Sequence, residues 1–387
     1  MTHIVLGAYL LSGTPGYRQA GIHQYVKHLL GSLASHAAQP AWCFTALISP
    51  TAAKEAPQPT HQFAILPARR ATEQPLPRII AEQVETPRVL RRLRADLYHG
   101  LGFVIPLRAP CPTVVTVFDL SFITHPETHR WLNRWYLARF TRWSCRRAAR
   151  VIAISEWTKR DLTDYFGLPA ERIDVTPLGV DHARFRPLPP DEVAAFRAQH
   201  DIGEGSIFYL GSLEPRKNLP RLIEAFAQLC ASHPALRATL FIAGSPAWKH
   251  SAILDRVRAL GLDGRVRLIG RLSDEALPKW YAACEVVVYP SLYEGFGLPP
   301  LEAMACGTPV VASNAAALPE VIGDAGLCVA PTDVAGLANA LWRVLSDPAL
   351  RADLRARGLA RAARFTWART AALTLESYQR ALAYARR

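Results

Sequence analysis

The chain has 387 residues, half of them hydrophobic, which predicts two domains with a core each, and no apolar run is long enough to predict a transmembrane helix. Its 45 basic residues outnumber 32 acidic ones, and the net charge of +13 favours an anionic partner such as nucleic acid, a membrane surface or a phosphorylated small molecule, or else only a basic surface. Seven cysteines without a C-x-x-C pair are typical of a reduced, cytosolic protein and disfavour a zinc or redox site.

Short β-branched runs alternate with helix-period segments along the chain. The first run, HIVLGAYL, lacks the basic region and cleavage site of a signal peptide and predicts a buried strand. It is followed by FTALIS, TVVTVF, RVIAIS, SIFYLG, ATLFIAG, RVRLIG, EVVVYP and TPVVAS. Apolar runs of this length between helices predict parallel strands covered on both faces, so the fold class is a doubly wound α/β arrangement.

The stretch 179–206 is rich in proline and charge and predicts a linker between two Rossmann-like halves. Ligands of doubly wound sheets bind beyond the carboxyl ends of the strands, so the loops that follow the strands are the places to look for function. No G-x-G-x-x-G follows the first strand, which weakens a nicotinamide or flavin function.

The N-terminal half offers three candidate residues after its strands. Gly21 in GYRQAGIHQYVKHLL is expected at the start of the first helix. His99 in DLYHGLGF is a weak candidate at a strand end. Asp119 in TVVTVFDLSFITHPETH suits binding of sugar or acceptor hydroxyls or proton transfer, and the alternative is that it caps the turn that follows.

The segment 130–151, RWLNRWYLARFTRWSCRRAARV, predicts a basic amphipathic helix. A rotation of about 100° per residue gives a face that we expect to be the core face, with Leu132, Tyr136, Phe140 and Trp143. The adjoining face carries tryptophan and arginine, namely Trp131, Trp135, Arg139, Arg142 and Arg146. This mixture suits an anionic membrane surface or a lipid-linked phosphate acceptor, and the alternative is an ordinary helix with one tryptophan under a loop. No nucleic-acid-binding module is recognisable, so nucleic acid is not an expected partner.

Two loops of the C-terminal half concentrate charged and special residues. In YLGSLEPRKNLPRLIEAF, Gly211 permits close backbone approach, and Arg216 and Lys217 stand before a helix that begins near Asn218. Cations beside the free amides of a helix N-terminus suit a diphosphate, although arginine–lysine pairs are also common on solvated turns.

The second loop follows the run EVVVYP and reads YEGFGLPPLEAMACGTPVVASN. A helix is expected to start at residues 299–300, with Glu302 in its first turn, where a carboxylate is often only a partner of the helix dipole. The amides of Phe296, Gly297 and Leu298 can bind an anion. Glu294 suits the hydroxyl groups of a sugar, so the loop predicts a ligand with both phosphate and hydroxyl groups.

These segments resemble one family. YLGSLEPRKNLPRLIEAF, LIGRLSDEALPKWYAACEVVVYPSLYEGFGLPPLEAMACGTPVVASN and LPEVIGDAGLCVAP, with RVIAISEWTKRDLTDYF and DVTPLGVD earlier, resemble the family 4 retaining glycosyltransferases, which have the GT-B fold. The resemblance spans most of the chain, is looser before residue 110, and includes the family's spacing of Glu294 and Glu302. It implies two Rossmann-like, doubly wound parallel-sheet domains facing across a cleft. Residues 1–180 are then the acceptor-side domain and 205–369 the nucleotide-sugar domain, and a C-terminal helix at about 370–387 packs back on the first domain.

The resemblance also implies roles at the matching positions. Arg216 and Lys217 hold the donor diphosphate, Glu302 accepts hydrogen bonds from the ribose, and Glu294 grips the donor sugar. The implied donor-binding residues are Gly21, Gly211, Arg216, Lys217, Arg271, Leu272, Glu294, Gly295, Phe296, Gly297, Leu298 and Glu302. The candidate catalytic residues are Glu294, Arg216, Lys217 and Asp119. Phe118 stands where many relatives have histidine, and Ala20 where many have a second glycine, so neither of those roles is carried over.

The expected function is a retaining glycosyltransferase that moves a sugar from a nucleotide-sugar donor to a glycan or lipid-linked acceptor in surface-glycan synthesis. TVFDLSFITHPE and AISEWTKRDL resemble the O-antigen mannosyltransferases most, so GDP-mannose is the first expected donor. No cofactor or metal is expected, and the sequence contains no Asp-x-Asp triplet. The expected location is cytoplasmic, on the inner face of the membrane. The alternatives are a UDP-sugar transferase, epimerase or phosphorylase of the same fold, or a basic binding protein without catalysis.

Overall fold

The computed structural model describes residues 1–14, 21–36, 41–128, 131–244 and 250–385. The chain forms two compact units. The first consists of Met1–Gly179 together with Trp367–Arg387, and the second of Val180–Thr366. The prediction that residues 179–206 form a linker is therefore wrong. Residues from Val180 onward belong to the second unit and contain a helix, Pro190–His200.

The described part of the first unit contains a seven-stranded parallel sheet in the order β3-β2-β1-β4-β5-β6-β7. Its strands are β1 Thr2–Ala8, β2 Trp42–Ile48, β3 Phe63–Pro67, β4 Leu97–Gly100, β5 Thr113–Val117, β6 Arg150–Ala153 and β7 Ile173–Val175. Its helices up to residue 179 are α1 Gly21–His36, α2 Pro75–Ile80, α3 Thr86–Leu93, α4 Ser121–Thr124, α5 Trp131–Arg147 and α6 Glu156–Phe166. A π-helical turn, Ala81–Glu85, joins α2 to α3. The strand order reverses between β1 and β4, which makes that point the topological switch point of the sheet.

The second unit contains, within its described residues, a six-stranded parallel sheet in the order β10-β9-β8-β11-β12-β13. Its strands are β8 Ser206–Leu210, β9 Thr239–Ala243, β10 Val266–Gly270, β11 Val286–Tyr289, β12 Val310–Ser313 and β13 Leu327–Val329. Its helices are α7 Pro190–His200, α8 Leu219–Ser232, α9 His250–Ala259, α10 Leu277–Ala283, α11 Leu298–Ala305, α12 Leu318–Ile322, α13 Val334–Ser346 and α14 Pro348–Ala362. Here the order reverses between β8 and β11.

The last helix, α15 Trp367–Ala385, packs in the first unit against α1, β5 and β6. Hydrogen bonds hold α15 in the first unit. Ser377 Oγ donates to Asp174 Oδ2 (2.7 Å), and Arg380 Nη1 donates to Asp174 Oδ1 (2.6 Å). Arg150 pairs with the same buried carboxylate. The chain thus returns to the first unit after completing the second.

The fold class is that expected from the sequence, because the central strands are buried apolar runs. Val114, Val115 and Val117 of β5 and all four residues of β11 are buried. Four strands are not among those predicted from the apolar runs: β3, β4, β7 and β13. They are three to five residues long. All seven cysteines are free.

Candidate functional site

The loops after β8 and β9 meet in the second unit through glycine backbone. Gly211 N donates to Ala243 O (3.0 Å), and Gly244 N donates to Gly270 O (2.8 Å). A Cβ added at Gly244, where φ is 152°, would lie 1.8 Å from the Gly211 carbonyl oxygen. The two loops can therefore approach this closely only with glycine at position 244.

The loops after β8 and β11 are bonded to each other at the switch point of the second sheet. Leu292 N donates to Arg216 O (2.8 Å), and Arg216 Nη1 donates to Tyr293 O (2.6 Å). Asn218, at a left-handed φ of 62°, ends the 3₁₀ turn that carries Arg216 and Lys217, and its Nδ2 donates to Pro290 O (3.0 Å). These bonds hold two loops that are far apart in sequence in one place, at the position where ligands of such sheets bind.

A charged cluster lies in these loops. Lys217 Nζ donates to Glu294 Oε1 (2.6 Å) and to the Tyr289 hydroxyl (3.0 Å), and Arg216 Nη1 donates to Glu294 Oε2 (3.1 Å). Lys217 and Glu294 each expose only 7% of their surface. Arg216 also pairs through Nη2 with Glu214 Oε1 (2.8 Å). The structure thus brings together three of the predicted site residues, and Glu214 makes the cluster formally neutral.

The pKa values in this cluster follow from burial and from the numbers of cations and anions. Burial alone would raise the pKa of the Glu294 carboxyl, but Lys217 and Arg216 outweigh burial and hold that pKa at about 2. Burial lowers the pKa of Lys217 in spite of the opposing effect of Glu294, and the like charge of Arg216 lowers it further. The Glu294 carboxylate faces two cations, so Glu294 is ionised at neutral pH.

The loop from Glu294 to α11 differs from the expectation at the helix start. The helix begins at Leu298 directly after Gly297, whose φ is 116°. Glu302 is therefore the fifth residue of α11 and not part of its first turn, so a partnership with the helix dipole does not explain it. No bond from the amides of Phe296, Gly297 or Leu298 to a protein acceptor is recorded in the described part of the chain. These amides stay candidates for an anion.

Glu302 contacts α10 instead. The Tyr281 hydroxyl donates to Glu302 Oε2 (2.9 Å). Burial raises the pKa of Glu302 to about 7, although the bond from Tyr281 and the charge of Arg184 act in the opposite direction. A carboxyl group with this pKa can donate or accept a hydrogen bond near neutral pH.

Of the remaining predicted donor residues, Arg271 and Leu272 follow β10 at the edge of the second sheet. Arg271 is exposed and Leu272 is half-buried. Gly295 lies in the Glu294 loop and is buried. In the first unit Gly21 is the exposed first residue of α1, and the loop before it, residues 15–20, lies outside the described residues.

The other candidates of the first unit have structural partners. Asp119 Oδ1 accepts from Ser121 N (2.8 Å), so the aspartate caps the turn into α4, which is the alternative stated from the sequence. His99 is fully buried, with Nε2 bonded to Thr116 Oγ1 (2.8 Å) and Nδ1 to the Tyr378 hydroxyl (2.7 Å). Burial lowers the pKa of His99 to about 3, so this imidazole is neutral and ties α15 to the sheet.

The exposed residues of α5 lie at its start and along one face. Trp131 and Trp135 expose 74% and 60% of their surfaces. The arginines expected beside them, Arg139, Arg142 and Arg146, are exposed as well. The expected core face is wrong at Leu132, which is 60% exposed, because the buried side is formed by Thr141, Ser144 and Cys145 in the second half of the helix. Tyr136 and Phe140 stack at 4.6 Å and are half-buried, and Trp143 packs on the core.

Four site residues were missed from the sequence: Glu214, Asn218, Tyr281 and Tyr289. Tyr289 is the last residue of β11, and its place at the carboxyl end of an apolar run could have indicated it. Asn218 and Tyr281 carry no local signal, since their partners Pro290 and Glu302 lie far away in the sequence. Glu214 and Asn218 flank the predicted Arg216–Lys217 pair, and Glu214 pairs with Arg216 two residues away.

Within the part of the chain that the structure describes, none of the helices combines the length and apolar character needed to cross a bilayer. In the same residues, no group of three or more histidine, cysteine, aspartate or glutamate side chains is placed to hold a metal ion.

Comparison with known proteins finds a glycosyltransferase family model in each half of the chain. Residues 20–184 match the model described as "Glycosyltransferase Family 4", and 192–361 match "Glycosyl transferases group 1". The chain is 36% identical over 291 residues to the O-antigen chain mannosyltransferase B of Escherichia coli, covering 75% of this chain and 76% of that protein.

Solved structures share the fold. The sucrose-phosphate synthase of Thermosynechococcus elongatus superposes with a TM-score of 0.76 at 23% identity over 98% of both chains. A protein of Anabaena, solved with UDP and glucose, gives 0.73 at 21% identity and covers 98% of this chain and 100% of that chain.

Proposed function

The chain belongs to the family 4 glycosyltransferases, with the GT-B fold, and from that premise we propose that it transfers mannose from GDP-mannose, with retention of configuration, to a lipid-linked or polysaccharide acceptor in surface-glycan synthesis. The observation that carries the proposal is the buried cluster of Arg216, Lys217 and Glu294 at the switch point of the second sheet.

The cations of this cluster suit a reaction in which a nucleoside diphosphate leaves the sugar. Breaking the bond between sugar and phosphate leaves negative charge on the diphosphate and builds positive charge on the sugar. Cations held in place before the reaction stabilise the departing diphosphate without reorganisation in the transition state. In this proposal Arg216 and Lys217 supply that charge, and the Glu294 carboxylate, ionised down to a pH of about 2, faces the donor sugar.

The choice of mannose rests on the relative from Escherichia coli, whose name states an O-antigen mannosyltransferase. The nucleotide is proposed to bind with its ribose hydroxyls at Glu302, its phosphates at the amides of Phe296, Gly297 and Leu298, and its base near Arg271. Because the Anabaena protein was solved with UDP and glucose, a UDP-sugar is the alternative donor.

We propose that no metal ion takes part. The charge that a divalent ion supplies in metal-dependent transferases is assigned here to the guanidinium and ammonium groups of the cluster, which lie 3.1 Å and 2.6 Å from the Glu294 oxygens. Turnover in the presence of a chelator tests this assignment directly.

We also propose that the protein meets its acceptor at the inner face of the cytoplasmic membrane. The start of α5 exposes Trp131, Leu132 and Trp135, and exposed arginines follow on the same helix. Exposed tryptophan beside arginine favours the headgroup layer of an anionic bilayer, where a lipid-linked acceptor is found.

The deciding experiment measures nucleoside diphosphate release by the purified chain with GDP-mannose, other GDP-sugars and UDP-sugars, with and without the octyl glycoside of an α-linked mannobiose. We expect acceptor-dependent release with GDP-mannose, and proton NMR of the product should show an α-linkage. Turnover only with a UDP-sugar would replace the donor. Interconversion of sugar nucleotides without transfer would indicate an epimerase. Binding of a nucleotide sugar without turnover, or no binding at all, would leave a non-catalytic basic protein.

A further inference from the structure

Tyr289 contacts the charged cluster of the second unit through its hydroxyl group. It is the last residue of β11 and follows three valines, so it stands at the carboxyl end of that strand. Its hydroxyl accepts a hydrogen bond from Lys217 Nζ (3.0 Å), and the same ammonium lies 5.2 Å from the centroid of its ring. Tyr289 exposes only 2% of its surface. It therefore does not touch a bound donor itself, and any effect on the reaction passes through a neighbouring side chain.

The ring of Tyr289 is held by the strands on both sides of β11. It stacks on the ring of Tyr209 in β8, with centroids 6.2 Å apart and planes 18° from parallel. On the other side the backbone of Tyr289 is paired with Ala312 of β12. Burial and the nearby Glu294 carboxylate raise the pKa of the phenol. The phenol is therefore neutral near neutral pH, and its oxygen is a fixed hydrogen-bond acceptor.

Lys217 needs such an acceptor because it is a buried cation. It exposes 7% of its surface, and burial lowers its pKa. An ammonium group has three N–H donors. In the described residues two of them have recorded acceptors, Glu294 Oε1 (2.6 Å) and the Tyr289 hydroxyl. These two bonds orient the ammonium and leave one N–H for a further acceptor. A phenyl ring at position 289 would leave a second N–H unpaired and the ammonium less firmly oriented.

We propose that Tyr289 is a positioning residue of the transfer reaction, which orients the Lys217 ammonium toward the departing diphosphate and keeps it protonated. The other charged groups that act on Lys217 are Glu294 and Glu214, which favour its charged form, and Arg216, which opposes it. The phenol also favours the charged form, but it adds no negative charge that would repel a diphosphate. This inference rests on the proposed function, because that function gives Lys217 its task.

The test compares Tyr289→Phe with the wild type in nucleoside diphosphate release, with GDP-mannose as donor and the octyl glycoside of an α-linked mannobiose as acceptor. The substitution removes the hydroxyl oxygen and keeps the ring. We expect kcat to fall about tenfold, because a hydrogen bond to a charged group is lost, while the donor KM changes less than twofold. The alkaline limb of kcat/KM should move to lower pH, because the ammonium loses an acceptor that favours its charged form.

Tyr25→Phe is the matched control. Tyr25 is a fully buried tyrosine of α1 whose hydroxyl bonds to Thr116 Oγ1 (2.9 Å), so the control also loses one buried hydrogen bond. Its kcat should stay within about twofold of the wild type and its pH profile should not move, even if its melting temperature falls. A second comparison introduces Tyr289→Phe into Lys217→Met. There the substitution should change the residual turnover less than about twofold, because the side chain through which Tyr289 acts is already absent.

An unchanged kcat of Tyr289→Phe would overturn the assignment. A lower kcat with an unmoved alkaline limb would do so too, because it would give the hydroxyl a purely structural role. An equal loss in Tyr25→Phe, or a further tenfold loss in the Lys217→Met background, would mean that the phenol does not act through Lys217.

A wild-type chain without transfer would contradict the proposed function instead. In that case calorimetric binding of GDP and of UDP as a function of pH decides the role of Tyr289. Loss of nucleotide binding at a lower pH in Tyr289→Phe than in the wild type supports it. An equal pH dependence, or no binding by the wild type, overturns it.

Discussion

The Lys217–Glu294 pair allows a quantitative prediction for the free energy of unfolding. The pKa of Glu294 is held at about 2, against an ordinary value of 4.5. The difference, at 1.36 kcal/mol per unit, corresponds to roughly 3 kcal/mol of stability at neutral pH. Glu294→Gln removes this contribution, and Lys217→Met leaves a buried carboxylate with Arg216 as its remaining cation, which costs about 3 kcal/mol or more.

A double-mutant cycle measures the pair itself. Both single substitutions delete the same interaction, so the double variant should lose less than the sum, with a coupling energy of about 2 kcal/mol or more in urea unfolding at neutral pH. The contribution of Glu294 is complete above pH 4.5 and is lost as pH falls toward 2, because the folded-state pKa is the lower one. The Glu294→Gln variant should therefore lack this part of the acid destabilisation.

Turnover measured on the same variants separates the effect of each substitution on stability from its effect on catalysis. Lys217→Met should lower turnover about a hundredfold or more. The double variant should regain stability but not turnover, since the cation is absent from both. Lys279→Met is the matched control, because that lysine forms an exposed pair with Glu192 at 3.1 Å and should change stability by only about 0.5 kcal/mol. Additive single effects, or normal turnover of Lys217→Met, would refute the reasoning.

Three further predictions concern Glu302, the α5 surface and metal dependence. Glu302 has a folded-state pKa of about 7, so its contribution to stability is present below pH 4.5 and is lost as pH rises toward 7; Glu302→Gln should flatten that part of the melting-temperature profile, and an unchanged slope would contradict the raised pKa. Trp131→Ala/Trp135→Ala should weaken sedimentation with vesicles of anionic phospholipid at least fivefold without changing the melting temperature, since both side chains are exposed; equal binding would count against membrane contact. Sugar transfer should proceed at the same rate with and without a chelator, and restoration of a lost rate by magnesium or manganese would show that the cluster does not replace a metal ion.

The architecture was readable from the sequence because apolar strand runs and helix periods are local patterns. The valine-rich β5 and β11 lie where their runs predicted, and the two loops rich in glycine, proline and charge follow β8 and β11. The start of α11 was misplaced, because a left-handed glycine at position 297 lets the helix begin before the two prolines. The side chains buried by α5 were also misjudged, since helical period defines a face but not which neighbour covers it.

The sequence by itself determined the fold class, the positions of the candidate loops and the identity of the charged residues in them. Only the tertiary structure decided how those charges pair. Lys217 and Glu294 are 77 residues apart and meet because the sheet order places β8 beside β11, which no local pattern encodes. Burial raises the pKa of Glu302, which faces mainly a phenol, whereas the two cations that face Glu294 outweigh burial and lower its pKa.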